Sequence, residues 1–194
     1  SLGLRTTVQP VPAISGTGNS AANVLIGNAA DNTLDGGSGA DTMSGGPGDD
    51  TYVVNTAGDM VTETAGEGTD TVQSTQTHTL AANVENLTLL GTVAINGTGN
   101  ALDNVLTGNT GTNVLTGGAG NDTYVIQNSG DTTVEVVGGG TDTVQSSVTH
   151  TLAAEVENLT LTGSSAINAT GTTLNNVLVG NAAAKTLNGG AGGD

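Results

Sequence analysis

The chain of 194 residues has no cysteine, no phenylalanine and no tryptophan, and its only positive side chains apart from two histidines are Arg5 and Lys185. Each absence excludes something. Without cysteine there is no disulfide framework and no thiolate metal site, which fits either a reducing compartment or export by a route that makes no use of disulfides. Two cations against 18 carboxylates leave a formal net charge of -16. Such a chain cannot displace counterions from phosphates, so no nucleic-acid partner is expected. An anionic membrane surface would repel it. No stretch approaches the length of apolar sequence that a bilayer requires, so no membrane insertion is expected. Residues 1–15 show no basic segment leading into an apolar run. Tyr52 and Tyr124 are the only aromatic residues apart from the histidines, so an ordinary globular core cannot be assembled.

High net charge with little bulky apolar surface ordinarily means disorder, because too little burial is available to offset chain entropy. A repeating solenoid escapes that outcome. Each of its turns buries a few aliphatic side chains against the next, and the core is shared along the axis. The remaining composition fits this, with 32 glycines and apolar residues that are almost all Val, Leu, Ile and Ala.

The repeat is visible directly. Gly45-Gly46-Pro47-Gly48-Asp49-Asp50-Thr51-Tyr52-Val53 recurs as Gly117-Gly118-Ala119-Gly120-Asn121-Asp122-Thr123-Tyr124-Val125, an offset of 72, and begins again at Gly189. Frames of nine run from Gly18, with position 6 at Asn23, Asn32, Asp41, Asp50 and Asp59. Two residues after each comes an apolar side chain: Leu25, Leu34, Met43, Tyr52 and Val61. Two extra residues then shift the phase, which resumes with Asp70 and Val72. From there to about Gly97 the glycines fade, and the segment reads as short strands with inward residues near Leu80, Leu87 or Leu89, and Ile95, in solenoid turns without metal loops. The second copy repeats the plan through Asn104, Asn113, Asp122, Asp131 and Asp142, and residues 149–161 copy residues 77–89. The starts of the copies, Gly18 and Gly99, are 81 apart, which reads as one additional nonapeptide at 36–44. The organisation expected is a leading segment at 1–15, one unit at 16–96, a second at 97–168 and a partial third at 169–194. The third stops inside a loop at Asp194, so further repeats, or copies of the chain stacked head to tail into a filament, are expected to continue it.

The loop composition has a chemical reading. Glycines at positions 1, 2 and 4 permit left-handed or strained backbone angles, so the loop can curl with carbonyl oxygens inward. An aspartate at position 6 adds a carboxylate. Hard cations such as Ca2+ take about six to eight oxygen ligands, and mixed carbonyl and carboxylate sets suit them. The loops hold no Cys or His, which disfavours Zn2+ and copper. The alternation in Thr51-Tyr52-Val53 predicts a short strand whose middle side chain faces inward. Two nonapeptides then complete one turn, and the fold class expected is all-β, a parallel β-roll or β-helix solenoid with about 18 residues per turn.

On these nonapeptides the chain resembles the RTX, or haemolysin-type, calcium-binding repeat family of bacterial proteins exported by type I secretion, over nearly its whole length from Gly16. The resemblance implies Ca2+ held between loops on the same edge of successive turns by loop carbonyls and position-6 carboxylates. It pairs Asp41 with Asp59, Asp50 with Asp70 and Asp122 with Asp142. The implied metal ligands are Gly36, Ser38, Gly39 and Asp41; Gly45, Pro47, Gly48 and Asp50; Asp59; Gly68 and Asp70; Gly117, Ala119, Gly120 and Asp122; Asp131; Gly140 and Asp142; and Asp194. The departures matter as well. Asn at 23, 32, 104, 113 and 176 replaces the carboxylate by a weaker amide oxygen, giving weak sites or metal-free turns held by stacked Asn side chains. Lys185 has no acceptor and abolishes its site.

Other readings of the charged residues are weaker. A flexible Gly-rich linker would not keep an apolar residue at position 8 through two copies in register. His78 and His150 are related by the repeat, far apart along the axis, and suit a turn or strand surface better than a metal pair. Glu63 with Glu67, or Glu155 with Glu157, could be drawn as catalytic pairs, but no nucleophile accompanies them and surface charge is the simpler reading. No catalytic residues are expected. The function expected is a non-catalytic, calcium-dependent structural module of a secreted or cell-surface protein such as an adhesin, surface layer or filament, disordered at cytosolic calcium and folded outside. The alternatives are the tail of a secreted protease, lipase or polysaccharide-modifying enzyme, and an ice-binding solenoid suggested by Gly16-Thr17-Gly18-Asn19 and Gly97-Thr98-Gly99-Asn100.

Overall fold

Short strands alternate with glycine-rich bends along the whole of residues 12–194, which are the residues that the computed structural model describes. Arg5 and most of the expected leading segment lie outside them. The first half holds β1 (Ser15–Thr17), β2 (Val24–Ile26), β3 (Thr33–Asp35), β4 (Thr42–Ser44), β5 (Thr51–Val54), β6 (Met60–Val61), β7 (Thr71–Ser74), β8 (His78–Thr79), β9 (Asn86–Leu89) and β10 (Gly97–Thr98). The second holds β11 (Val105–Thr107), β12 (Val114–Thr116), β13 (Thr123–Ile126), β14 (Thr132–Val134), β15 (Thr143–Ser146), β16 (His150–Thr151), β17 (Asn158–Leu161), β18 (Ala169–Thr170), β19 (Val177–Val179) and β20 (Leu187–Asn188). All odd-numbered strands form one ten-stranded parallel sheet in chain order. The even-numbered strands form the opposite wall in three pieces: β2-β4-β6, β8-β10-β12-β14 and β16-β18-β20. The molecule is an all-β parallel solenoid of about ten turns averaging about 18 residues, with no helix among the described residues.

The register shows how the average arises. Along the long sheet, Thr33 pairs with Thr51, Thr51 with Thr71, Thr71 with Asn86 and Asn86 with Val105. The successive offsets are 18, 20, 15 and 19, and together they make the offset of 72 seen in the sequence. The next four steps, through Thr123, Thr143, Asn158 and Val177, are the same. The repeat is therefore four solenoid turns of unequal length. Both breaks in the opposite wall fall where the longest turn meets the shortest, which follows it.

This register corrects the reading of the offset of 81. Residues 36–44 are not an addition; β4 is the counterpart of β12 one repeat earlier, and each pairs with its own successor in the same way. An offset of 81 corresponds to four and a half turns, so it joins residues on opposite walls. Accordingly Thr17 lies in β1 of the long sheet and Thr98 in β10 of the other wall, and the two Gly-Thr-Gly-Asn motifs share no face.

Alternation sets the core. On the long sheet the middle residues Leu34, Tyr52, Val72, Leu87, Leu106, Tyr124, Val144 and Leu159 form one continuous inward ladder, each at most 1% exposed. Leu80, Ile95, Met43, Val61 and Leu115 are buried from other parts of each turn, and Leu25 packs partly buried against them. Both Leu87 and Leu89 face inward. His78 and His150 lie in β8 and β16 as strand residues, but the inward side of the alternation claims them: His150 is buried, and burial holds both imidazoles below their ordinary pKa.

Candidate metal centres

Each position-6 residue sits immediately before a strand, so the parallel register stacks these residues in columns along the edges. On the edge leading into the long sheet the column runs Asn32, Asp50, Asp70, Glu85, and again Asn104, Asp122, Asp142, Glu157. It is held by backbone amides donating to the carboxylate of the next turn. Asn32 N donates to Asp50 Oδ1 at 2.6 Å, Asp50 N to Asp70 Oδ1 at 2.8 Å and Asp70 N to Glu85 Oε2 at 2.8 Å. The second copy matches, with Asn104 N to Asp122 at 2.7 Å, Asp122 N to Asp142 at 2.8 Å and Asp142 N to Glu157 at 2.8 Å. Asn176 N donates to Asp194 Oδ1 at 2.7 Å, opening a third copy.

The other edge is shorter. Asn23 N donates to Asp41 at 2.7 Å and Asp41 N to Asp59 at 3.1 Å, while Asn113 N donates to Asp131 at 2.9 Å. Asp59 and Asp131 end their columns with both oxygens occupied. The amides of Asn55 and Thr56 close on Asp59, and that of Asn128 on Asp131. Burial works to raise the Asp59 pKa, but the amides of Thr56, Asp41 and Asn55 outweigh it and hold the carboxyl below its ordinary value. Lys185 stands to Asn113 as Asn176 stands to Asn104, in the equivalent place of the next copy, with its stem folded against Gly180.

The glycines divide by role. Positions 2 and 4 adopt left-handed backbone angles, as at Gly46 (φ 89) and Gly48 (φ 132) and at Gly118 (φ 113) and Gly120 (φ 110). Position 1 does not; a Cβ at Gly36, Gly45 or Gly117 would overlap the position-6 carboxylate of its own loop. It is glycine for space rather than for backbone angle. Loops also stack closely: Gly68 lies on the Gly48 carbonyl and Gly140 on that of Gly120, and Ala119 N donates to Asn100 O. Ser38, Gly39 and Pro47 sit at the middle of their loops, and the Gly39 carbonyl accepts from the Thr56 hydroxyl.

Aspartate and asparagine frames satisfy themselves differently. In an asparagine frame the side-chain oxygen accepts from the position-2 amide of its own loop, as in Asn28 N to Asn32 at 2.7 Å and Asn100 N to Asn104 at 2.7 Å. The side-chain nitrogen donates to carbonyls of the preceding turn: Asn104 to Val84 and Glu85, Asn113 to Ile95, and Asn176 to Val156 and Glu157. The expected stacking of Asn on Asn between turns is replaced by these bonds to backbone, because an amide nitrogen finds better acceptors in carbonyls. A carboxylate has no such donor. The Oδ2 atoms of Asp41, Asp50, Asp70, Asp122 and Asp142 are buried with no hydrogen-bond partner. An unpartnered buried carboxylate oxygen is costly, and a cation is its natural complement.

Two further carboxylates join these columns from the opposite wall. Glu63, two residues past β6, and Glu135, just past β14, turn inward instead of carrying surface charge; Glu63 is 8% exposed. Carboxylate oxygens of Asp50, Glu63 and Asp70 lie within 4.8 Å of one another, as do those of Asp122, Glu135 and Asp142. Burial, with the neighbouring carboxylates, pushes Glu63 and Glu135 up to about 7 and Asp70 and Asp122 up to about 6. Asp50 and Asp142 are raised by burial as well. Glu157 also corrects the surface reading, since its carboxylate belongs to the column, whereas Glu155 lies in the bend before β17 with φ 62. Glu85 and Glu157 were legible as an acid-polar-apolar triplet, Glu-Asn-Leu, matching Asp-Thr-Tyr at 50–52 and 122–124.

The family model for the RTX calcium-binding nonapeptide repeat (4 copies) matches residues 17–52, 98–125 and 170–194. In these stretches the chain carries RTX calcium-binding nonapeptide repeats. Comparison with curated proteins and with solved structures gave no match. RTX repeats bind Ca2+, and the donor set here suits that ion: hard oxygen ligands, buried and uncompensated, in stacked loops. The RTX-matched stretches contain Asp41, Asp50 and Asp122, while Asp59, Glu63, Asp70, Glu135 and Asp142 fall between them. The carboxylate columns thus run continuously through stretches that the nonapeptide pattern does not cover.

Proposed function

We propose that the chain is a non-catalytic, calcium-binding structural module of a secreted or cell-surface bacterial protein, and that it folds when it binds Ca2+. The observation that carries this reading is the set of buried carboxylate oxygens left without partners in five of the stacked frames. In a chain of net charge -16 these groups repel one another, and folding is opposed until a cation enters. Binding to the folded state alone then stabilises it by mass action, about 2.7 kcal/mol per site at a hundredfold excess over the dissociation constant. Low cytosolic calcium keeps such a chain extended for type I export, and millimolar calcium outside orders it. The unbroken four-turn period supports continuation of the same winding into further repeats or into a stacked copy, as an adhesin, surface layer or filament would require.

Far-UV circular dichroism during a Ca2+ titration, with Mg2+ as the control, tests the proposal. A coil-to-β transition produced by Ca2+ and not by equal Mg2+ is expected. A β spectrum unchanged by chelation overturns folding coupled to calcium.

A further inference from the structure

We infer that Glu63 and Glu135 are metal ligands, each turning inward just past its strand of the opposite wall, β6 or β14, to complete a three-carboxylate site for a hard cation beside a tyrosine hydroxyl, one site per copy of the repeat. The inference rests on the calcium reading of the loops and adds a ligand from outside them.

Three observations converge on these corners. The first is composition: Asp50, Glu63 and Asp70 in one, and Asp122, Glu135 and Asp142 in the other, bring three carboxylates within 4.8 Å. The second is independent of the acidic cluster as such. Asp50, Asp70, Asp122 and Asp142 are each at most 1% exposed, and the Oδ2 atom of each has no protein partner. The third is direction. A Cβ placed on Gly117 would meet Asp122 Oδ2, Tyr124 OH and Glu135 Oε1 together, and one placed on Gly45 would meet Asp50 Oδ2 and Tyr52 OH. These oxygens point at a common region that only a glycine leaves open.

The two corners are held differently. At the first, Gly45 N donates to Tyr52 OH at 2.7 Å and, more weakly, to Glu63 Oε1 at 3.4 Å. At the second, Tyr124 OH donates to Glu135, and Gly117 N turns to the Val134 carbonyl. The glutamates are free to exchange these contacts for a cation. Glu63 and Glu135 stand 18 residues after Gly45 and Gly117, in register with those glycines, and the alternation that buries Val61 and Thr133 turns them inward. At Asp41 and Asp59 no third carboxylate enters, and the Asp59 oxygens are already bonded by its own loop.

Tyr52 and Tyr124 are the only tyrosines in a chain without tryptophan, and each lies in one of these corners, so each reports its site without interference. The probe is Tb3+, a hard cation with oxygen preference like that of Ca2+, read by tyrosine-sensitised luminescence of the full chain and displaced by added Ca2+. Strong sensitised emission is expected. In the Glu63→Gln and Glu135→Gln double variant its midpoint is expected to rise about tenfold or more. Each single Gln variant keeps the other corner as an internal reference, and Tyr124→Phe is expected to remove about half of the emission. Circular dichroism at saturating Ca2+ confirms that each chain is folded. Wild-type chain that folds with Ca2+, with emission and midpoint unmoved by the Gln substitutions, overturns the role of the glutamates alone. Wild-type chain that neither folds with Ca2+ nor sensitises Tb3+ overturns the calcium reading as well.

Discussion

Asn104 and Asp122 sit one above the other in the same column, each before a strand of the same sheet, and differ by one group. The Asn104 nitrogen donates to the carbonyls of Val84 and Glu85, closing the frame with protein alone. Asp122 turns one oxygen to the Asn104 amide and leaves the other, beside Gly117 as the Asn104 oxygen lies beside Gly99, buried and without a partner. The winding accepts both. The difference teaches that one solenoid can intersperse self-sufficient turns with turns that require an ion, using the choice of amide or carboxylate at a single position.

The largest effect that sharpens this contrast is the pH dependence of the calcium-free fold, because several carboxylates act together. Glu63 and Glu135 at about 7, and Asp70 and Asp122 at about 6, lie above ordinary values of 4.5 and 3.8. Stability from such groups is fully present below the unfolded pKa and is lost as pH rises through the folded one. His78 and His150, held below 6.5, act in the opposite sense and remove stability as the pH falls below about 6.5. In chelator, the folded fraction read by circular dichroism is therefore expected to be higher at pH 6 than at pH 8. Saturating Ca2+ should abolish that gain; equal loss with and without Ca2+ would refute it.

Converting the ion-requiring frames is next in size. Asp50→Asn with Asp70→Asn is expected to remove at least one calcium site, about 2.7 kcal/mol of stabilisation at a hundredfold excess of Ca2+, while making the chelated protein more stable. Calorimetric titration with Ca2+ and the folded fraction in chelator, read by circular dichroism, check the two halves. The reverse change, Asn104→Asp, breaks the bonds to Val84 and Glu85. It is expected to cost about 1 to 3 kcal/mol without calcium and less with it. The smallest effect concerns Glu155, whose φ of 62 is shared by its counterpart Asn83 at φ 66. Asn tolerates that region better, so Glu155→Asn is expected to stabilise the fold by about 0.5 to 1 kcal/mol, measured as a rise in unfolding midpoint.

Much of the architecture was legible from local rules. Alternation after each aspartate predicted which side chains face inward, and Leu34, Tyr52, Val72 and Tyr124 are buried there. The pairings of Asp50 with Asp70 and Asp122 with Asp142 correspond to stacked neighbours. What could not be read was the meaning of half a turn: an offset of 81 looked like preserved winding and instead exchanges the walls. Nor could Glu63 and Glu135 be told from surface glutamates, since their neighbours in sequence are polar or exposed and the aspartates they meet belong to the edge of the other wall.

The sequence by itself determined the winding, the inward ladder and the existence of carboxylate columns, because these follow from a period near nine, from two-residue alternation and from glycine backbone freedom, all local properties. Only the tertiary structure decided which oxygens are left without a partner and where a third carboxylate enters. Those depend on which amide, hydroxyl or carboxylate of an adjacent turn comes within reach, a contact between residues distant in sequence that no local rule contains.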